Sequence, residues 1–410
     1  MTFTTALRCR ECGRQYPIEP LHVCEFCFGP LEVAYDYDAI KVKTSRESIR
    51  DGPHTIWRYD ALLPVGRESA VDIGAGFTPL LRADRLAREF GLDNVWLKND
   101  AVNPSYSFKD RVVSVAATKA REFGIDTLAC SSTGNLAGAV AAHGAKAGMR
   151  ALVFIPADLE RGKIVSAAVY GATVVAVKGT YDEVQRLCSE LADTHRWAFV
   201  NINMRVYYAE GSKTLGYEVA EQLGWRAPDH AIVPMASGAM ITKIHQGFQE
   251  FARIGLIAGA STRMHGAQAR GCSPIVKAAQ AGQTHPKPEI PDTIAKSLAI
   301  GNPADGFYAV KVIKDSGGSG VMVEESEVAD GIRLLAQTEG IFTETAGGVA
   351  VSALKHLVKA GAIGRGESVV VYITGNGFKT IEVVEPGIKP ITIEANVESF
   401  EENVLATAGR

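Results

Sequence analysis

The chain has 410 residues, of which 46% are apolar and 22% are charged, a composition typical of a globular protein with room for two sizeable domains. No apolar run approaches the ~18 residues that a membrane-spanning helix needs, so we expect no membrane segment. The 43 basic and 46 acidic residues leave a net charge of −3, and no long basic face predicts a nucleic-acid partner.

The first 36 residues are predicted to form a separate zinc-ribbon-like extension. They carry four of the seven cysteines, as the pairs Cys9/Cys12 and Cys24/Cys27. A segment this short buries little core, and four thiolates around zinc would supply the missing stability. A ribbon that has lost its metal is the alternative. The odd cysteine count and the lack of a secretion signal favour a reducing, cytoplasmic location over a disulfide framework.

Beyond a predicted polar linker from Lys41 to Asp60, short β-branched runs alternate with longer helical patterns. The predicted strands are Val95–Lys98, Thr127–Ser131, Ala151–Ile155, Thr173–Val177, Ala231–Pro234 and Ser368–Ile373. The predicted helices are Phe108–Phe123, Leu136–Ala147, Arg161–Tyr170, Tyr181–Thr194, Gly211–Leu223 and Ile241–Ile254. This alternation predicts an α/β protein with mostly parallel sheets covered by helices.

Three turns of small residues follow predicted strands, as SSTGNLAG (Ser131–Gly138), PMASGAMITK (Pro234–Lys243) and ITGNGFK (Ile373–Lys379). Ligands of parallel sheets bind beyond the carboxyl ends of the strands, where such turns present backbone N–H groups. Each turn alone also fits a purely structural role. The run IGAGFTP is not a dinucleotide fingerprint, because Pro79 occupies the position of the third glycine.

Lys109 opens the helix that follows the polar loop Asn103–Ser107, with Ser107 as the predicted N-cap. A cation is disfavoured at the positive end of a helix, so this placement predicts a lowered pKa for the Lys109 ammonium. A larger neutral fraction would suit a nucleophilic amine. A solvated lysine at a helix start is the alternative interpretation.

Together, the segments NPSYSFKDR, SSTGNLAG, PMASGAMI and ITGNGFK occur in the order and approximate spacing of fold-type II pyridoxal phosphate (PLP) enzymes. The chain resembles the threonine synthases, in the form that carries a cysteine-bearing N-terminal extension. The resemblance implies a tryptophan synthase β-like fold with two doubly wound α/β domains. It implies a large domain from residues 37–100 and 215–400, a small domain from 101–214, and a tail at 401–410.

The resemblance also implies roles for individual residues. Lys109 matches the lysine that holds PLP as a Schiff base, Asn135 matches the partner of its ring hydroxyl, and Thr374 matches the partner of its pyridine nitrogen. The cradle for the cofactor phosphate is expected at Ala236, Ser237, Gly238, Ala239 and Met240. This cradle lacks the asparagines that are usual in the family and keeps a single glycine, Gly238. Because backbone N–H groups bind the phosphate, we expect this departure to have little effect on phosphate binding.

By the same resemblance, the reaction converts O-phospho-L-homoserine and water into L-threonine and phosphate, in a homodimer. The phosphate and the carboxylate of a phosphorylated amino acid each need charged or hydrogen-bonding residues to bind them. For its phosphate we expect the cations of Arg205 and Lys213 with the hydroxyls of Ser105 and Ser107, and for its carboxylate Ser132 and Thr133.

The lysine loop departs from the family's usual pattern, beginning with Ser105 where threonine is usual. Tyr106 stands where a small or aliphatic residue is usual, and a phenol there puts the exact substrate in doubt. A PLP-dependent β-replacement enzyme acting on phosphoserine, similar to cysteate synthase, is therefore the first alternative. An inactive zinc-ribbon adaptor is the second.

Overall fold

The structure is a computed structural model that describes residues 2–132, 134–157, 161–179 and 181–405. These residues contain three β-sheets. Within these residues, no helix is long and apolar enough to cross a membrane. The strands are β1 (Thr4–Cys9), β2 (Gln15–Tyr16), β3 (Leu31–Tyr35), β4 (Leu80–Arg82), β5 (Asn94–Asn99), β6 (Thr127–Ser131), β7 (Arg150–Pro156), β8 (Thr173–Val177), β9 (Ala198–Phe199), β10 (His230–Pro234), β11 (Arg263–Ala269), β12 (Gly320–Val323) and β13 (Ser368–Ile373). The α-helices are α1 (Tyr37–Lys43), α2 (Arg46–Arg50), α3 (Asp84–Glu89), α4 (Lys109–Glu122), α5 (Asn135–Ala147), α6 (Arg161–Ala168), α7 (Tyr181–Thr194), α8 (Arg205–Glu210), α9 (Lys213–Gln222), α10 (Ala239–Arg253), α11 (Pro274–Gln280), α12 (Gly306–Asp315), α13 (Glu325–Glu339), α14 (Thr345–Lys359) and α15 (Val397–Phe400).

The largest sheet has six strands in the order β12-β11-β10-β13-β5-β4. All neighbouring pairs are parallel except β4 with β5. In register, His230 lies beside Val369, and Ser368 beside Asn94. Strands β10 and β13 are therefore neighbours whose carboxyl ends meet at one edge, which brings the turns after Pro234 and Ile373 together.

The second sheet has four parallel strands in the order β8-β7-β6-β9. All six predicted strands are present, and so are the predicted parallel sheets. Helix α8 was not predicted, because its six residues are too few to show a helical period. Strand β11 was also missed, because it is buried along almost its whole length and so lacks the alternation of a half-buried strand.

The N-terminal extension is a three-stranded antiparallel sheet in the order β2-β1-β3. Its inward face is not isolated, since Leu7, Val33 and Tyr35 are buried and belong to the main hydrophobic core. The Tyr35 hydroxyl also donates a 2.7 Å hydrogen bond to the carboxylate of Glu210 on α8. The extension is thus packed onto the α/β body by apolar burial and a buried polar contact.

The prediction of a polar linker from Lys41 to Asp60 was wrong. The segment contains the end of α1, all of α2 and the start of a 3-10 helix at Ile56–Leu62. Ile49 and Trp57 are almost completely buried there. Most apolar residues of this polar segment are buried in the core, although Val42 is 82% exposed. Their irregular spacing gives no periodic signal in the sequence.

Candidate active site

A cavity of about 960 Å³, counting its open mouth, lies between the two larger sheets. It is bounded by the carboxyl ends of β10 and β13 and by the first residues of α4, α5 and α10. The predicted cofactor residues that line it are Lys109, Asn135, Ala236, Ser237, Gly238, Ala239, Met240 and Thr374. Residues from the three small-residue turns and from the start of α4 therefore face one cavity.

Lys109 is the first residue of α4, and its Nζ lies 2.8 Å from the hydroxyl of Tyr208 on α8. Desolvation lowers the pKa of the Lys109 ammonium to about 8, although the nearby carboxylate of Glu344 favours its charge. The lowered pKa was predicted, but burial rather than the helix terminus is its main cause. The prediction that Ser107 caps this helix was wrong. The N-cap residue is Phe108, and the buried Ser107 hydroxyl has no hydrogen-bond partner among the described residues.

The loop before Lys109 is joined to the turn after β13. The Phe108 N–H donates to the carbonyl of Thr374 at 2.9 Å, and the Asn376 N–H donates to the carbonyl of Tyr106 at 3.1 Å. Tyr106 has a left-handed backbone with φ of 64° and is 56% exposed. Its ring does not line the cavity, so the residue that departs from the family loop is held by its backbone and not by a contact in the pocket.

Asn135 begins α5, where its amide lies between two charged groups. Its Nδ2 donates to both carboxylate oxygens of Glu344 at 2.9 Å, and its Oδ1 accepts from Nζ of Lys379 at 2.9 Å. Glu344 is 2% exposed, and burial raises the pKa of its carboxyl. Sequence reasoning missed Glu344, although an acidic residue directly before the small-residue helix α14 was a visible signal.

The turn after β10 has the shape of an anion cradle. Gly238 has φ of 91°, and a Cβ atom there would lie 2.9 Å from Cβ of Ala309 and 3.0 Å from the carbonyl oxygen of Asp305. Only glycine therefore fits. Helix α10 starts at the next residue, so the N–H groups of Ala239 and Met240 belong to its first turn, where anions bind.

These residues fit PLP. The cradle suits a phosphate, and the Asn135 amide nitrogen suits a ring oxygen. The amine of Lys109, with its lowered pKa, suits the aldehyde carbon. Thr374 is 3% exposed and borders the cavity, and no hydrogen bond to its hydroxyl occurs within the described part of the chain. That hydroxyl is thus available to a ring nitrogen.

The predicted hydroxyl residues have different positions. Ser132 lines the cavity, and its Oγ accepts from the N–H groups of Gly134 and Ala137 at 3.0 and 3.1 Å. Ser105 lies outside the lining, and both its N–H and its hydroxyl donate to the Asp110 carboxylate. Thr133 lies outside the described residues.

The structure does not bring the predicted phosphate-binding cations into the cavity. Lys213 is completely buried, with its Nζ 2.6 Å from Glu210 and 3.1 Å from Glu250. Burial opposes its charge, but these carboxylates outweigh it and raise the pKa of the Lys213 ammonium. Arg205 forms an ion pair with Asp305 and lines a neighbouring cavity under the N-terminal sheet.

The four cysteines of the extension converge. All four Sγ atoms lie within 4.8 Å of one another, with Cys9 and Cys27 3.4 Å apart and Cys12 and Cys24 3.7 Å apart. Zinc bound tetrahedrally at Zn–S distances of ~2.3 Å requires sulfur atoms about 3.8 Å apart. The predicted ligand set therefore fits a structural zinc ion.

The fold and the lysine-bearing cavity define a fold-type II PLP-dependent enzyme. A family model described as pyridoxal-phosphate dependent enzyme matches residues 71–375, and a second, described as NinF protein, matches residues 8–32. The chain is 38% identical to a threonine synthase from Methanosarcina acetivorans over 98% of this chain and 99% of that protein. It is also 38% identical to a threonine synthase from Methanocaldococcus jannaschii over 95% of this chain and 97% of that protein. The chain belongs to the pyridoxal-phosphate-dependent enzymes and, within them, to the threonine synthase family.

Solved structures agree on the fold. Diaminopropionate ammonia lyase from Escherichia coli, in complex with D-serine, superposes with a TM-score of 0.66 at 20% identity. The superposition covers 77% of this chain and 90% of that one. At this identity the likeness concerns the architecture alone, and it confirms the predicted fold class.

Proposed function

We propose that the protein converts O-phospho-L-homoserine and water into L-threonine and phosphate. The observation that carries this proposal is the match to the Methanosarcina acetivorans threonine synthase, which extends over 98% of this chain at 38% identity. The match includes the four-cysteine extension as well as the α/β body. The cavity described above supports it, because it contains an amine suited to PLP and a cradle suited to its phosphate.

Bound PLP supplies an electron sink for the substrate's Cα–H bond. Lys109 would hold the cofactor through its aldehyde carbon and give up this position to the substrate amine. The freed Lys109 amine would then accept and return protons at Cα and Cβ. Asn135 would donate to the ring oxygen and Thr374 would meet the ring nitrogen. Phosphate leaves from Cγ, and water adds at Cβ.

For the substrate carboxylate, we propose Ser132, which lines the cavity, together with Thr133 as binding residues. Arg205 remains our proposal for the phosphate, because it lies one helical turn before Tyr208 on α8, and Tyr208 lines the cavity. Ser107 lies outside the cavity lining, and we propose it as an additional donor because its buried hydroxyl has no hydrogen-bond partner among the described residues. Lys213 is left out, because two carboxylates already hold its ammonium.

The test is to incubate the PLP-loaded protein with O-phosphohomoserine and to measure threonine and inorganic phosphate together. Equal amounts of both products are expected. Phosphoserine, with and without an added nucleophile, is the second arm, and phosphate release from it only with the nucleophile would replace our proposal by a β-replacement reaction. Loaded protein that turns over neither substrate would contradict both.

We further propose that the enzyme is a cytoplasmic homodimer that carries zinc in its extension. All seven cysteines are free thiols, which supports a reducing compartment. The homodimer follows from the family alone. Light scattering on the purified protein and a metal assay, with one zinc per chain expected, test these two points. A monomeric mass, or protein without zinc, would contradict them.

A further inference from the structure

Lys379 occupies a position that the family resemblance left without a role. It lies in the turn after β13, and burial lowers the pKa of its ammonium although Glu344 and Asp110 favour the charge. Its Nζ donates to Oδ1 of Asn135 at 2.9 Å and to the backbone carbonyl of Ser105 at 2.7 Å. One cation thus contacts both the turn that carries Asn135 and the loop that leads to Lys109.

We propose that Lys379 is a positioning residue that fixes the Asn135 amide and the Lys109 loop for the cofactor ring. The proposal rests on PLP as the cofactor and not on the choice of substrate. It adds Lys379 to the residues on which the proposed reaction depends, without a contact between Lys379 and the substrate.

The chemistry of the contacts determines which way the amide points. An ammonium only donates hydrogen bonds and a carboxylate only accepts them. The Asn135 amide lies between Lys379 and Glu344, so its oxygen must face the first and its nitrogen the second. The reverse orientation would place NH₂ against the ammonium and oxygen against the carboxylate. The nitrogen carries two protons and can therefore donate both to Glu344 and to a ring oxygen in the cavity.

The same ammonium completes a set of bonds between two loops. Two backbone hydrogen bonds already join Phe108 to Thr374 and Asn376 to Tyr106. The bond from Lys379 to the Ser105 carbonyl is a third. Because Lys109 directly follows this segment, these bonds restrict the position of the Lys109 backbone and hence the positions that its amine can reach. A hydrogen bond donated by a charged group is stronger than one between neutral backbone groups. The bond from Lys379 to Ser105 is therefore expected to be the strongest of the three.

The buried carboxylate of Glu344 explains why a positively charged residue is suited to position 379. This carboxylate is so close to the backbone that a Cβ atom on Gly375 would lie 2.3 Å from one of its oxygens. A buried carboxylate without cations would take up a proton. The charges of Lys379, Lys163 and Lys109, together with the amide hydrogen bond, favour the ionised form. Loss of Lys379 would therefore weaken the acceptor that holds the Asn135 nitrogen.

The test compares Lys379→Met with Lys379→Arg and a matched control. The readouts are the dissociation constant of PLP and the pH midpoint of the absorbance change of the lysine-linked cofactor. Loss of a charge-assisted hydrogen bond is expected to weaken PLP binding by about tenfold or more in Lys379→Met. The midpoint should move to lower pH, because loss of Lys379 favours protonation of Glu344, whose carboxylate stabilises positive charge at the Lys109 nitrogen. Lys379→Arg should bring both values back towards the wild type.

The control is Lys119→Met, which removes another buried lysine, from α4. Its Nζ donates to the Pro64 carbonyl at 3.2 Å and to Glu122 at 3.0 Å, outside the cavity. It should leave both readouts unchanged. If Lys379→Met does not fold, Lys379→Gln, which keeps a donor without the charge, takes its place. Wild-type values in the Lys379 variant, or the same change in the control, would overturn the proposal. Wild-type protein that makes no threonine but shows the Lys379-dependent midpoint would refute the reaction and leave this role standing.

Discussion

Lys109 and Lys213 are two lysines with similar local positions and opposite electrostatic surroundings. Each is the first residue of a helix, α4 or α9, and each is desolvated by the protein around it. Lys109 has a neutral hydroxyl at 2.8 Å, whereas Lys213 has two carboxylates within 3.1 Å. The pKa of the first ammonium is lowered to about 8, and that of the second is raised.

The difference shows that position on a helix does not decide whether a lysine becomes reactive. A desolvated ammonium loses its proton easily unless a carboxylate compensates its charge. Tyr208 supplies a hydrogen bond without a charge, because burial raises the pKa of its hydroxyl and keeps it protonated. Lys109 is thereby suited to chemistry, and Lys213 to holding helices together.

Removal of Lys109 should give the largest effect. Lys109→Ala deletes the group that would hold the cofactor and move the substrate's protons, so we expect turnover to fall by roughly 10³-fold or more. The lysine-linked absorbance should vanish, as an absorption spectrum of the PLP-loaded variant would show. A variant that retains both would contradict the assignment of Lys109.

Removal of Lys213 should instead destabilise the fold. Lys213→Met leaves Glu210 and Glu250 with one cation fewer in a buried site, which should cost about 3 kcal/mol of unfolding free energy. Urea unfolding measures this cost. The folded variant should keep its KM for phosphohomoserine. A raised KM with unchanged stability would restore Lys213 as a phosphate-binding residue.

The comparison also predicts a pH dependence. Cofactor-free protein should incorporate PLP faster as pH rises through about 8, with about a tenfold gain from pH 7 to pH 9 as the Lys109 amine becomes neutral. The pKa of Lys109 in the folded protein lies below the value of ~10.4 in the unfolded chain. Its contribution to the free energy of unfolding is therefore fully present above pH ~10.4. It is lost as the pH falls through about 8. A rate still climbing steeply at pH 10 would show that Lys109 is not desolvated.

Loss of the Tyr208 hydroxyl should have the smallest effect. Tyr208→Phe removes one hydrogen bond to the Lys109 amine and keeps the ring in the cavity wall, so we expect turnover to fall about fivefold. PLP should remain bound, and the pH midpoint for turnover should shift. Wild-type turnover with an unchanged midpoint would mean that the Lys109–Tyr208 contact has no part in the reaction.

The sequence by itself determined the elements whose signals are local. All six predicted strands are present, and the turns after β6, β10 and β13 border one cavity. Lys109 stands at the start of its helix, and the four cysteines converge as their pairing predicted. Each strand, each turn and each cysteine pair depends on neighbouring residues, so periodicity and spacing reveal it. The meeting of the three turns at one cavity was implied by the family resemblance and depends on the strand order.

Only the tertiary structure decided which charged groups meet. Glu344 and Lys379 reach Asn135 across more than 200 residues of chain, and Glu250 reaches Lys213 from the next helix. The same holds for the segment from Lys41 to Asp60, where Ile49 and Trp57 are buried in clusters that include residues distant in sequence. Desolvation and Coulomb interactions depend on burial and on distances in space, and these cannot be read from a lysine's position in the sequence.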